Sequence, residues 1–311
     1  MLLWHDARTY QILFLALFLI IGLGTRDWTL QPSMIAVAIA TCVITQWVMV
    51  VNSGQQSAVS GQQSEEATFH PLSFILTPSF LSSLPSALVT SLGLSILVRA
   101  DHYSTIILAC VAAIGSKFLI RVRGKHIFNP GNFGIVAALM LTPDAWVSPG
   151  QWGEEGWYAL LFLSCGGLVL RRVGRWDTTV AFLGSYAVLE AVRNVLLGWT
   201  WDVWAHRLMS GSLLMFSLFM ITDPRTIPNA RIGRLLWAVA IALLTFFLRN
   251  YLFLSTAVFW ALFALAPLSI LIDAVFPGDR FVWSDRFLER AAEKEREAEG
   301  QELTALVTQN S

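Results

Sequence analysis

The sequence predicts an all-α, polytopic membrane protein of about ten transmembrane helices, and three observations carry that reading. Of 311 residues, 55% are hydrophobic and only 14% charged, against roughly 25% charged in soluble domains, and mean hydropathy is +0.60. Apolar runs near the ~20 residues needed to cross a bilayer recur along the chain. The basic residues concentrate in alternate gaps between those runs, as the enrichment of Lys and Arg in short cytoplasmic loops requires.

The first run, 9–25, has only His5 and Arg8 as positive flank and no small-x-small cleavage site, so it reads as a retained span and not a signal peptide. The second, 34–51, leads into 52–64, a polar stretch without aromatic residues that contains Gln55-Gln56-Ser57 and Gln62-Gln63-Ser64 and reads as a flexible loop. The weakly apolar run 74–84 is taken to lie outside the membrane, and the count of ten depends on that. Two runs, 86–98 and 132–142, are short and bounded by Pro85 and Arg99 and by Pro130 and Pro143. They suit half-helices meeting near the midplane, or tilted and interfacial helices of the ordinary kind. The remaining runs are 104–120, 157–170, 178–197, 208–222, 235–251 and 255–276. Residues 1–276 thus form a transmembrane domain. Residues 277–311 form a charged tail whose mixed charges over 286–297 suit a solvated helix.

Ten spans put the N-terminus, the basic stretch 117–126, Arg171, Arg172 and Arg175, Arg225, Arg231 and Arg234, and the tail on one side. Only Arg26, Arg99, Arg193, Arg207 and Arg249 fall on the other. Both termini are therefore expected in the cytoplasm. A net charge of zero gives no argument for nucleic acid. Cys42, Cys110 and Cys165 stand alone in apolar runs and read as core residues. No Lys-Ser/Thr phosphate loop, His-Glu-x-x-His or Cys-x-x-Cys occurs, which speaks against a self-contained hydrolase or metalloenzyme.

Three places can carry chemistry. Glu190 and Arg193 lie three apart in one span, where they can pair on a helix face or mark an ion pathway. Asp101, His102, His206 and Arg207 sit at span boundaries and read as solvated. Asp223 ends an apolar span between Thr222 and Pro224; it can cap backbone donors, pair with Arg225 or accept from a ligand. Finally, Asn129-Pro130-Gly131-Asn132 is a turn leading into a helix, with Asn132 as candidate N-cap. A helix N-terminus beside Lys and Arg forms an anion site, although cytoplasmic placement alone explains the basic residues.

Several motifs follow one another in a known order: Ser86-Ala-Leu-Val-Thr90, then Lys117, Gly124-Lys125-His126-Ile-Phe-Asn129-Pro130, Phe219-Met220-Ile-Thr222-Asp223-Pro224 and Ala266-Pro267-Leu-Ser-Ile-Leu-Ile-Asp273. The chain thereby resembles the NqrB/RnfD family, membrane subunits of sodium-pumping NADH:quinone oxidoreductases and Rnf electron-transport complexes, over roughly 71–273. Among its branches the UnbU-like proteins found with enediyne biosynthesis genes are most similar. The resemblance implies two related halves, here 1–142 and 156–276, with short or broken helices near the ligand site, in a bacterial inner membrane. It further implies a flavin held in the membrane and electrons passed to partner redox subunits while ions move. Matching positions are Thr90, Lys117, Gly124, Asn129, Pro130, Thr222, Asp223 and Pro224; Asn132 joins them as the helix-start residue. Family members bind FMN covalently through a threonine in a Ser/Thr-Gly-Ala-Thr motif, and no Gly-Ala-Thr occurs here. The expectation is therefore a non-covalent flavin, riboflavin or FMN. A small-molecule transporter, channel or self-resistance protein beside a natural-product pathway stays open. So does an accessory scaffold whose tail recruits an enzyme.

Overall fold

Backbone in lipid must satisfy its own polar groups, so apolar runs fold as helices. The computed structural model describes residues 7–25, 29–60, 78–149 and 156–281, and each apolar run singled out above is helical over most of its described residues. Helices α1 (Ala7–Thr25), α2 (Pro32–Ser60) and α3 (Pro78–Leu97) lead to a two-residue strand, β1 (Val98–Arg99). Helix α4 (Tyr103–Leu119) runs into a hairpin of β2 (Arg121–Val122) and β3 (Lys125–His126), then α5 (Pro130–Leu141) and β4 (Trp146–Val147). There follow α6 (Gly156–Val173), α7 (Trp176–Leu196), α8 (Trp201–Leu208), and α9 (Gly211–Met215) continued by a π-helical turn, Phe216–Met220. Helices α10 (Arg231–Asn250), α11 (Ala257–Leu265) and α12 (Leu268–Val275) complete the described chain.

The protein is an all-α polytopic membrane protein. Among the described residues five helices, α1, α2, α3, α7 and α10, are long and apolar enough to cross a membrane. A sixth span arises if α11 and α12, bent by 48° at Ala266-Pro267, act as one, and α4, α5 and the α9–π segment are shorter apolar helices. Outward faces carry large apolar side chains such as Ile20, Ile44, Leu160, Val188 and Leu243, as surfaces solvated by lipid do. The core is aromatic at its centre: Phe18 of α1 stacks on Phe162 of α6 at 4.2 Å, and Phe216 meets Phe182 and Phe259 at 5.1 and 5.9 Å. All three cysteines are buried.

Several expectations need correction. Residues 86–98 do not form a half-helix, because α3 starts at Pro78 and runs through Pro85. Proline removes a helix bond and crowds the preceding turn; here the Ser83 hydroxyl donates to Phe80 O and Arg8 donates to Ser82 O beside the break. The N-terminal end of 74–84 lies outside the described residues, and its remainder is the first part of α3. Residues 52–60 are helix and not loop, while 61–64 lie outside the described residues. The tail helix expected over 286–297 lies outside them too. Helix α8 was not anticipated, although Trp199 just before it and Trp201 and Trp204 within it are the aromatic signature of a membrane–water boundary.

Candidate functional site

The hairpin after α4 explains one family-matched residue locally. Arg123 and Gly124 both adopt positive φ, 51° and 80°, and β2 pairs antiparallel with β3, Val122 opposite Lys125. A two-residue turn of this hand needs two left-handed residues, and glycine is the cheapest occupant. Lys125 then reaches across the molecule to Ile227 O at 2.7 Å and to Asp273 at 2.5 Å. Asp273 also accepts from Asn229, so the hairpin is tied to the last described helix.

The helix start that follows is capped by Asn129 and not by Asn132. Asn129 Oδ1 accepts from the Asn132 amide at 3.0 Å, with Pro130 at the first helical position. Asn132 is buried, and its Nδ2 donates to Phe259 O at 3.1 Å. Proline at the first position and an Asx cap just before it are the usual helix-start arrangement. Because Phe133 N also bonds Asn129 O, the Gly131 amide is the one donor of that turn left for a ligand. The expected anion site at the bare helix end is thus largely closed by its own cap.

The other side of Asn129 faces the second signature. Its Nδ2 donates to Asp223 Oδ2 at 3.2 Å and to Met220 O at 3.3 Å, residues more than ninety positions away in sequence. Asp223 Oδ1 accepts from the Arg225 amide, and its carbonyl closes the turn through Thr226. Burial raises the Asp223 carboxyl above its ordinary range, opposed by Arg225, Lys117 and Asn129. The π-helical turn shifts the preceding register; Thr179 takes up Ser217 O at 2.7 Å, and the Thr222 hydroxyl bonds Leu218 O.

These groups border a cavity of about 650 Å³. Thr90, Lys117, Gly124, Asn129, Pro130, Thr222 and Asp223 all line it, whereas Asn132 does not. Lys117 is buried, and its Nζ reaches Ser86 Oγ at 3.1 Å and Gln46 Oε1 at 3.4 Å. The Thr90 hydroxyl is committed to Ser86 O at 2.9 Å. Gln46 escaped notice in the sequence, a lone Gln inside the run 34–51 being its available signal, whereas Ser86 and His126 were visible only as parts of the motifs that carry the resemblance. His126 is 6% exposed, and its Nδ1 has no partner among the described residues. Burial, with the charges of Arg225, Arg121 and Lys117, pushes it down to about 3, so it is neutral at physiological pH. Arg8, Lys117, Arg121, Arg225 and Arg280 line the cavity against a single carboxylate, Asp223, among the described residues.

The remaining candidates lie apart from this cavity. Glu190 does not pair with Arg193. It accepts from Arg207 at 3.0 Å and from Asn250 at 2.8 Å, and Arg193 lies over the Trp199 ring. The spacing of three was satisfied, but a partner across the helix interface won. Arg207, expected to be solvated, is therefore an ion-pair member, while His206 is exposed. Asp101 and His102 offer their backbone amides to Asp144, whose carboxyl is held low first by the Thr105 hydroxyl bond.

Comparison with known proteins adds an independent line. Residues 146–281 match the model of a family described as NQR2, RnfD, RnfE. The chain is 33% identical over 125 residues to a subunit of the ion-translocating oxidoreductase complex of Stutzerimonas stutzeri, covering 40% of this chain and 35% of that protein. To the protein of the same description from Halorhodospira halophila it is 30% identical over 128 residues, 40% of this chain and 35% of that one. To that from Tolumonas auensis it is 32% identical over 101 residues, 32% and 29% of the two chains. The chain thus spans about a third of the length of the curated relatives it matches. The family match contains Thr222, Asp223 and Pro224 and begins after Asn129, so it covers one side of the cavity and less of the chain than the 71–273 expected from motifs.

Proposed function

We propose that this chain is a multi-pass subunit of an ion-translocating oxidoreductase complex, holding a non-covalent flavin in the cavity between the Asn129 turn and Asp223. The observation that carries the reading is the Asn129–Asp223 hydrogen bond. It joins the two signature motifs, far apart in sequence, at the wall of one cavity. The relatives are described as subunits of an ion-translocating oxidoreductase complex, which supports partner redox subunits in a bacterial membrane. By the positive-inside rule the cavity end and both termini face the cytoplasm.

The residues present fit such a cofactor. A volume of about 650 Å³ falls within the ~300–1,000 Å³ of small-molecule sites, and the lining mixes apolar walls with a few polar groups in the manner of such sites. Phe118, Val169, Leu218 and Phe219 supply apolar surface, and the unpartnered His126 Nδ1 awaits a donor. Bound flavin supplies the electron-transfer chemistry. Thr90, Lys117, Gly124, Pro130, Thr222 and Asp223 shape and polarise its pocket; Asn129 positions Asp223, and Asn132 anchors the helix behind it through Phe259. With the Thr90 hydroxyl internally bonded and the Gly-Ala-Thr motif missing from the sequence, attachment is non-covalent.

The test is the absorbance spectrum of the gently purified protein, followed by acid denaturation. Flavin bands that pass wholly into the supernatant are expected. Colourless protein that moves a small molecule in proteoliposomes would instead favour the transporter reading, and flavin remaining on the precipitate would contradict non-covalent binding.

A further inference from the structure

Helices α7 and α10 pack side by side, and at 21 and 20 residues each is long enough to cross the hydrocarbon layer. Their first residues, Trp176 and Arg231, therefore lie where hydrocarbon gives way to headgroups. The Arg231 guanidinium lies 5.9 Å from the Trp176 ring centroid, so the two helices begin at one level. Both side chains face outward: Trp176 is 54% exposed and the Arg231 side chain 67%.

The charge at this corner is out of balance. Asp177 is buried and already held, by Arg234 at 2.7 Å and by the Thr178 amide at 2.9 Å. Arg231 approaches it only through Nε, at 3.8 Å, and among the described residues its guanidinium makes no hydrogen bond. Arg175, just before Trp176, also lies in the field of Asp177 and Arg234. Three guanidiniums thus share one carboxylate, and the terminal nitrogens of Arg231 remain for an acceptor outside the chain. A guanidinium is weakly hydrated and offers paired N–H donors that match a phosphate.

Beneath that cation the surface turns apolar. Val180 on α7 and Ile232 and Leu236 on α10 are all exposed, one above the next by helical spacing. An acidic protein would meet the charge and leave this stripe uncovered. A phospholipid matches both, with its phosphate at Arg231 and an acyl chain along the stripe. The Trp176 indole N–H, without a partner among the described residues, is placed to donate to the ester region, the usual station of tryptophan in a bilayer. The surplus of positive charge favours a headgroup with net negative charge over one that carries its own ammonium.

We propose that the corner formed by Trp176 and Arg231 binds an anionic phospholipid, whose phosphate is held by the Arg231 guanidinium and whose acyl chain lies over Val180, Ile232 and Leu236. None of these residues lines the large cavity, so the site stands whether or not a flavin is bound there.

The test is native mass spectrometry of the full-length protein, delipidated in a non-ionic detergent and titrated with phosphatidylglycerol or with phosphatidylcholine of the same chains. Wild type is compared with Arg231→Gln, Arg231→Lys and Arg123→Gln, the last removing an equally exposed arginine from the hairpin turn. Asp177 keeps Arg234 in every variant, and thermal unfolding without lipid checks that each is folded. The first phosphatidylglycerol is expected to bind wild type about tenfold tighter than phosphatidylcholine, the factor that one hydrogen bond to a charged group supplies. Arg231→Gln is expected to remove that preference and leave phosphatidylcholine unchanged, Arg231→Lys to keep part of it, and Arg123→Gln to keep all of it. Equal affinities of the two lipids for wild type, a preference that survives Arg231→Gln, or an equal loss in Arg123→Gln overturns the proposal.

Discussion

Asn129 shows how one side chain can be both local and global: its oxygen caps α5, while its nitrogen holds Asp223 and Met220 O across the cavity. The two roles separate by mutation. Asn129→Asp keeps the capping acceptor but sets a second carboxylate against Asp223. It should fold with near-normal thermal stability and lose flavin at least about tenfold, the scale of one bond to a charged group. Asn129→Ala loses both roles and should cost about 1–2 kcal/mol of stability in addition, measured by denaturant unfolding in detergent. His126 carries the pH dependence. Its folded value of about 3 lies below the ordinary 6.5, so the unfolded chain binds more protons between them. Stability should therefore rise with pH across that window, by up to about 1.4 kcal/mol per unit, and level off above it. Asp223, raised on folding, acts in the opposite sense, so the comparison is between wild type and His126→Gln, whose profile should be flatter. At this scale the sequence was legible where a motif named the residue, as at Asn129 and Asp223. It was not where the partner sat on another helix: nothing near Glu190 in sequence points to Arg207 and Asn250.

Among the elements, α5 does most to position the site, because it is short and lies close against α4. A Cβ at Gly134 would come within 2.5 Å of Ala109 O and 2.8 Å of the Ala113 side chain, both on a packed helix that cannot give way cheaply. Gly134→Ala should therefore push α5 off α4, costing about 1–3 kcal/mol and lowering ligand affinity without touching the cavity lining. Gly124→Ala instead strains the hairpin turn at φ 80° and should cost about 1 kcal/mol; both are read by thermal unfolding. The short 132–142 run between prolines was legible as α5, since Pro130 starts the helix and Pro143 follows its end. The extent of α3 was not, because Pro85 looked like a boundary and is tolerated where Ser83 and Arg8 serve the neighbouring carbonyls. Nor was the π-helical turn, whose irregular bonding depends on Thr179 of another helix.

Across the molecule the arrangement converges on one end. Helices α4, α6 and the α9–π segment send their C-terminal ends to the cavity, α1 and α5 their N-terminal ends; α2 lines it from its middle at Gln46 and Val50, α3 along its length from Ser82 to Leu97, and Arg280 and Phe281 join from beyond α12. The same end carries the basic loops. Their charge was read from the sequence as a matter of membrane orientation, and in the structure Lys117, Arg121 and Arg225 also border a space large enough for a cofactor. That these loops also line a cavity was illegible in one dimension, because a topology count already accounts for every Lys and Arg in them. Whether this cavity is the ligand site is tested most directly by a density map of the full-length protein reconstituted with FMN. Ring density is expected between the Asn129–Asp223 bond and the Thr90 wall. Flavin density elsewhere in the molecule, with this cavity empty, would contradict it.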